Sequence, residues 1–317
     1  MRYRWILFVF VLSAGCYRVS DQIEPRVCYQ LQDQYFQSLS GAFAPLSEEE
    51  KRSDWGKEYI IARSFADELD LYRAVSTFKR AEILLSHFDG AKEDRKLQMQ
   101  YDILLCYFLG KRYDDAVEAF EKGQLAYVDK TFPAYHDLLL VLYESYRELG
   151  NEEKQIKTIE LIEKTYPATG EELKVSLALR KGDLSTIKEF ASGFQNPSYL
   201  DNLLECYESK KKSVGTAQFL NALLPGAGYL YIGQRKSALT AFLLNGLFIA
   251  AATQFFLHKH VAAGIITTGF EAGWYFGGIY GAGEEAKYYN ERLYERAATS
   301  VLNEHQLFPI LMLEHAF

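Results

Sequence analysis

From Ser237 to Leu257 the chain runs twenty-one residues without a charged side chain; after the polar turn His258-Lys259-His260 a second apolar run extends from Val261 to Gly283, broken by Glu271 alone. At about 1.5 Å of rise per helical residue, either run matches a hydrocarbon layer roughly 30 Å thick. Residues 237–283 are therefore expected to cross a bilayer twice as an α-helical hairpin, to which the polar remainder is attached.

The N-terminus points to membranes as well. Arg2 and Arg4 precede the apolar stretch Trp5 to Leu12, and Ser13-Ala14-Gly15 leads to Cys16. A short basic region, an apolar core and small residues make an export signal. The run resembles a bacterial lipoprotein signal, in which the cysteine is lipidated and becomes the mature N-terminus, although Ser13 stands where an aliphatic residue is usual. An uncleaved anchor and a signal cleaved without lipidation are the alternatives, and all three export the segment beyond Cys16.

Residues 17–213 carry 27 Lys and Arg against 35 Asp and Glu, which gives no support to nucleic-acid binding. Cys28, Cys106 and Cys206 lie far apart without metal-ligand spacing. They allow one disulfide or free thiols. No phosphate loop, His-Glu-x-x-His site or nucleophile elbow occurs, so neither an enzyme nor a cofactor is expected.

Between Cys28 and Lys212 apolar residues recur at helical spacing. Met99 to Leu109 stops at Gly110 and resumes with Tyr113, Ala116, Val117 and Phe120; Leu138 to Tyr146 leads to Leu149-Gly150, then Ile156, Ile159, Ile162 and Pro167. These segments resemble tetratricopeptide-type repeats, helical pairs with Leu-Gly before the turn and Tyr, Ala, Phe and Pro at set distances beyond it. The second departs from the pattern with Glu152 and Gln155. Weaker copies surround Ala74 and Gly182, and the glycines stand forty and then thirty-two residues apart. The resemblance implies an all-α helical-repeat (TPR-like) solenoid over 57–213, whose surface holds a protein or peptide. Tyr101, Tyr107 and Tyr143 fall at helical spacing and are expected to line its core, with an aromatic binding groove as the alternative.

After Lys210-Lys211-Lys212 charge disappears until Arg235. Pro225 and Gly226 should break a helix arriving from Phe219, so 214–236 is expected to be interfacial or re-entrant. Pro225-Gly226-Ala227-Gly228, Tyr231 and Gly233, with Gly277-Gly278-Ile279-Tyr280-Gly281, Ala286 and Tyr289-Asn290 further on, resemble a widespread bacterial two-span membrane domain marked by Pro-Gly-x-Gly and Tyr-x-Gly. The likeness covers about 214–294 and implies a hairpin of largely unknown role.

Gly269, Gly273, Gly277 and Gly281 form one helix face, read as packing within the hairpin or between copies. Asn245 and Gln254 are candidates to bond across that contact. Glu271 lies near mid-span, where a carboxylate is neutral, bonded or beside water; a structural role and a substrate path are both open. His258 and His260 are read as capping the turn rather than as metal ligands. Exporting the repeats puts Lys210 to Lys212, Arg235 and Lys236 outside, against the usual bias of basic residues toward the cytoplasm, so orientation is open.

The expected order is a signal over 1–15, a linker and helix over 16–56, the repeats, the Pro-Gly segment, the hairpin, and a polar extension with an apolar tail over 284–317. The expected function is a non-enzymatic scaffold at the bacterial inner membrane, with its repeats on the envelope side, bound to a protein partner and lipid and able to form a homo-oligomer or larger complex. The alternative is a transport or channel subunit using Glu271 and the glycine face.

Overall fold

The computed structural model describes residues 19–27, 33–87, 93–193 and 198–317, which are helical nearly throughout. Cys16 and Cys28, with the signal read over 1–15, lie outside these residues. The chain divides into two compact units, one of Cys28–Leu177 with Leu302–Phe317, the other of Met1–Val27 with Ala178–Val301.

The first unit opens with helix α1 (Asp33–Ser38) and strand β1 (Ser40–Gly41), followed by α2 (Glu48–Arg52), α3 (Asp54–Asp67), α4 (Leu71–Ser86), α5 (Glu93–Leu109), α6 (Tyr113–Lys122), α7 (Tyr135–Glu148) and α8 (Glu152–Thr165). From α3 onward each helix packs on the next, as in a stack of helical pairs. Helix α9 begins at Pro167 and runs to Lys181, so the proline read as the end of a repeat is the first residue of a helix. Its fixed φ and missing N–H suit that position.

One turn recurs at four of the junctions between these helices and the next. A residue with positive φ, namely Leu69, Lys111, Gly150 or Gly182, is followed by a residue whose N–H donates to the carbonyl five positions back. The donors are Asp70 to Phe65, Arg112 to Tyr107, Asn151 to Tyr146 and Asp183 to Ala178. Such a bond satisfies carbonyls that a helix end leaves bare. Asp70, Asn151 and Asp183 then cap the next helix with their side chains, a contribution of about 1 kcal/mol each. The left-handed residue equivalent to Gly150 is therefore Lys111 and not Gly110, so the spacing read from the glycines is one residue out of register.

Helices α5 and α7 are buried on nearly all sides. A stripe alone would be expected of a helix in an open stack. The rest of their surface is covered by residues before α2 and by residues 307–317, where strand β2 (His315–Ala316) pairs in parallel with β1. Arg95 anchors the first of these coverings. Its guanidinium donates to both Glu50 oxygens at 3.0 Å and to the carbonyls of Ala44 at 2.7 Å and Pro45 at 3.0 Å. It also donates to Gln98 Oε1 at 2.8 Å; Gln98 Nε2 donates to the Tyr59 hydroxyl at 2.6 Å, and Tyr59 donates to Asp102 Oδ2 at 3.0 Å.

The second unit continues from the end of α9 through α10 (Leu184–Ser192), α11 (Ser198–Lys210), α12 (Val214–Leu223), α13 (Ala227–Ile232), α14 (Arg235–Leu257) and α15 (Val261–Glu304). The second apolar run does not end at Gly283, because α15 is one helix of 44 residues that carries the polar extension without a break. Among the described residues one helix, α14, is long and apolar enough to cross a membrane. Val19, Val214, Ala217, Ile232 and Ala286 form a core against which Tyr231 and Tyr289 pack. Asn290 brackets Lys212, accepting from its N–H at 2.7 Å and donating to its carbonyl at 2.8 Å. Tyr294 is fully buried, edge-on to Tyr207, and donates to the Leu179 carbonyl at 2.8 Å. Cys106 and Cys206 are free thiols.

Burial pushes the Asp102 carboxyl up to about 7, and the Tyr59 bond only partly offsets it. The unfolded chain loses this proton near pH 4, so the group's contribution to stability is complete below that value and is lost as pH rises through about 7. Asp102→Asn is expected to flatten the fall in thermal midpoint between pH 5 and pH 8; an unchanged pH profile would contradict this burial.

Candidate functional site

The apolar tail is not a free end of the fold. Leu307, Phe308, Ile310, Leu313 and Phe317 are buried in the first unit, where Phe317 stacks on Phe78 with ring centres 6.5 Å apart. The segment is also held by its backbone. Tyr35 donates to the Leu311 carbonyl at 2.6 Å, and Arg63 donates to the main-chain oxygen of Phe317.

Asp137 is the centre of this grip. It lies in the first turn of α7, is 0% exposed, and accepts the main-chain N–H groups of Glu314 at 3.1 Å and His315 at 2.9 Å. His136 Nδ1 lies 3.0 Å from its Oδ1, and His315 Nδ1 lies 3.1 Å from its Oδ2. A charged acceptor that binds two amides does for an extended segment what a neighbouring strand would do. The sequence reading missed Asp137 because its partners lie 177 and 178 positions away. The available signal was an acidic residue beside the apolar run Leu138 to Leu142.

The repeat residues are packing elements. Ala116 is fully buried, Tyr113 meets Phe108 edge-on, and Phe120 is half-buried. Tyr101 and Tyr143 lie in the core, and the Tyr107 hydroxyl accepts from Lys79 at 2.9 Å.

In the second unit the Pro-Gly-x-Gly turn has a steric explanation. Gly226 has φ +94°, and a Cβ there would lie 2.3 Å from the Ala238 carbonyl oxygen; one at Gly228 would lie 2.3 Å from that of Ala217. Asn221 Oδ1 accepts from the Gly226 N–H at 2.8 Å and fixes the break that follows Pro225. Gly233 also has φ +94° and turns the chain into α14, while the Tyr231 hydroxyl accepts from the Ser213 N–H at 3.2 Å.

The glycine face behaves differently. A Cβ at Gly269, Gly273 or Gly277 would meet nothing within 4 Å, whereas one at Gly281 would meet the Tyr229 hydroxyl. Among the described residues, three of the four glycines therefore meet no neighbouring helix. Gly273 and Gly277 instead border an open cavity of about 690 Å³ with Lys236, Thr240, Asn245 and Trp274. Asn245 is 3% exposed and donates to Ala241 of its own helix, leaving Oδ1 without a partner among the described residues. Gln254 is exposed. Glu271 is 8% exposed, and neither of its oxygens has a partner among the described residues. The turn after α14 is the one used between the repeats: Lys259 has positive φ, and the His260 N–H donates to the Phe255 carbonyl at 2.8 Å.

Fold and site define a predominantly α-helical protein with repeat-like helix pairs and one helix able to cross a membrane. No family model and no solved structure matches the chain. An uncharacterised protein of Methanocaldococcus jannaschii, MJ1516, is 29% identical to it over 118 residues, covering 37% of this chain and 91% of that protein.

Two alanine substitutions distinguish the two kinds of glycine. Gly228→Ala is expected to destabilise the protein by about 1–3 kcal/mol, the cost of overpacking. Gly273→Ala should leave stability unchanged or raise it by up to about 1 kcal/mol, because Ala is the better helix former. Thermal unfolding in detergent measures both, and equal losses would refute the distinction.

Proposed function

We propose that this protein is a membrane-held helical-repeat scaffold that binds an extended segment of a partner protein and acts by positioning it rather than by catalysis. The observation that carries this reading is the seating of residues 307–317 against the repeat helices. Asp137 and Tyr35 bind main-chain groups of that segment while Phe308, Ile310 and Phe317 are buried. A surface that holds one extended peptide by its backbone has the chemistry to hold another. The reading takes α14 and the apolar part of α15 as a two-span hairpin in the bacterial inner membrane. Export by the N-terminal segment, with Cys16 as lipid anchor, puts the repeats on the envelope side. Tetratricopeptide-like pairing supports a protein ligand, and the open glycine face of α15 leaves room for a second copy or another membrane subunit.

Crosslinking in native membranes, followed by identification of the attached peptides, tests the scaffold. Ile310→Glu puts a charge into the seat of the resident segment, and is expected to raise crosslinking of a partner to α5 and α7 several-fold. Crosslinks that map only to α14 and α15 in both proteins would overturn the assignment.

A second reading rests on Glu271, whose two oxygens are buried without a partner among the described residues. An unpaired carboxylate at mid-span is costly and commonly marks an ion or proton path. Under this reading Glu271→Gln abolishes a flux measured in reconstituted vesicles, while partner crosslinking is retained. A flux that persists in the variant eliminates it.

A further inference from the structure

Beside the backbone grip of Asp137, three side chains converge from two parts of the chain. His136 Nδ1, a carboxylate oxygen of Asp137 and a carboxylate oxygen of Glu314 lie within 4.8 Å of one another. His136 Nδ1 is 3.0 Å from Asp137 Oδ1 and 3.9 Å from Glu314 Oε1. Ligand atoms of a four-coordinate zinc ion, at about 2.0–2.2 Å from the metal, stand roughly 3.3–3.5 Å apart. The two separations from His136 bracket that value, and the Glu314 side chain, 64% exposed, is free to approach Asp137.

The surroundings of His136 are compatible with ligation. Thr169 Oγ1 lies 3.1 Å from His136 Nε2, and the Tyr166 ring meets the imidazole edge-on at 4.9 Å. With a metal on Nδ1, His136 would donate Nε2–H to Thr169 and present the Nδ1 lone pair toward the two carboxylates. Histidines that bind metals hold their second nitrogen in such a bond, and ligating carboxylates are themselves hydrogen-bonded. Asp137 meets that condition through the two main-chain amides and His315 Nδ1, all on the side provided by the tail.

We propose that His136, Asp137 and Glu314 form a site for a divalent transition metal, with zinc as the ion that best suits one imidazole and two carboxylates and with a fourth position open to solvent. His136 and Asp137 belong to the start of α7, whereas Glu314 arrives with the tail. The site is therefore complete only while residues 307–317 are seated, and the ion fastens that segment to the repeat helices. This goes beyond the scaffold reading and does not depend on it, since the zinc clip would form whether or not any partner exists.

The test uses full-length, untagged protein in detergent, stripped with a chelator and titrated with zinc against a chromophoric competitor. Binding of one equivalent at micromolar or tighter dissociation constant is expected. Glu314→Gln and His136→Gln should each weaken it by at least about tenfold, the smallest loss usual for a disturbed metal site. Zinc should raise the thermal midpoint of the wild-type protein and slow proteolysis of residues 307–317, and should do neither in Glu314→Gln, whose exposed position leaves the core intact. His258→Ala with His260→Ala should retain the one equivalent. The proposal is overturned if the wild type takes up no zinc in this range, if binding is unchanged in Glu314→Gln, or if it vanishes with the turn histidines. A proton alone on His136 corresponds to the first of these outcomes.

Discussion

The stacking of helices in this chain depends on one hydrogen bond, repeated. At six of its helix junctions a residue with positive φ places the next N–H on the carbonyl five positions earlier, at Asp70, Arg112, Asn151, Asp183, Gln234 and His260. The bond satisfies main-chain carbonyls and shortens the connection to two or three residues, and α3 with α4, α5 with α6 and α7 with α8 pack side by side across it. Glycine meets the requirement at Gly150, Gly182 and Gly233, while Leu69, Lys111 and Lys259 meet it at a steric cost. The same turn thus ends both repeat-like helices and the apolar helix α14, two parts of the chain that differ in composition.

Stacking by such turns leaves an inner face to be covered. In the first unit the covering comes from the chain itself, through the arm pinned by Arg95 and the segment held by Asp137. Both use a charge, buried at Asp137 and partly buried at Arg95, to hold main-chain atoms of a segment outside the helices. The charge is worth its desolvation only where several hydrogen bonds converge on it, as they do on the Asp137 carboxylate. Aromatic contacts such as Phe78 with Phe317 then add apolar burial.

The second unit separates two uses of glycine that look alike in sequence. Gly226 and Gly228 lie against backbone oxygens and leave no room for a side chain. Among the described residues, Gly269, Gly273 and Gly277 face open space, and Asn245 Oδ1 and both Glu271 oxygens are buried without a partner. Close approach within the chain accounts for the first pair. No such approach within the described residues accounts for the second set.

Much of this was legible in order along the chain. Helical spacing identified the pairs, the absence of charge identified α14, and Pro225 with Gly226 identified the break before it. These are local properties, fixed by which side chains recur every third or fourth residue and by which backbones can turn. The position of the left-handed residue at Lys111, the continuation of α15 past Gly283 and the start of α9 at Pro167 were not legible, because composition does not state where one helix stops. The seat of residues 307–317 was hidden for a different reason. Asp137 finds its amide partners and Glu314 across 177 or more positions, and only the packed fold brings such distant groups within hydrogen-bonding range. Sequence alone determined that the chain is helical, paired and apolar enough to meet a membrane, since those properties arise from local periodicity. The tertiary structure decided what fills the repeat face and which polar groups converge there, since convergence depends on the path of the whole chain.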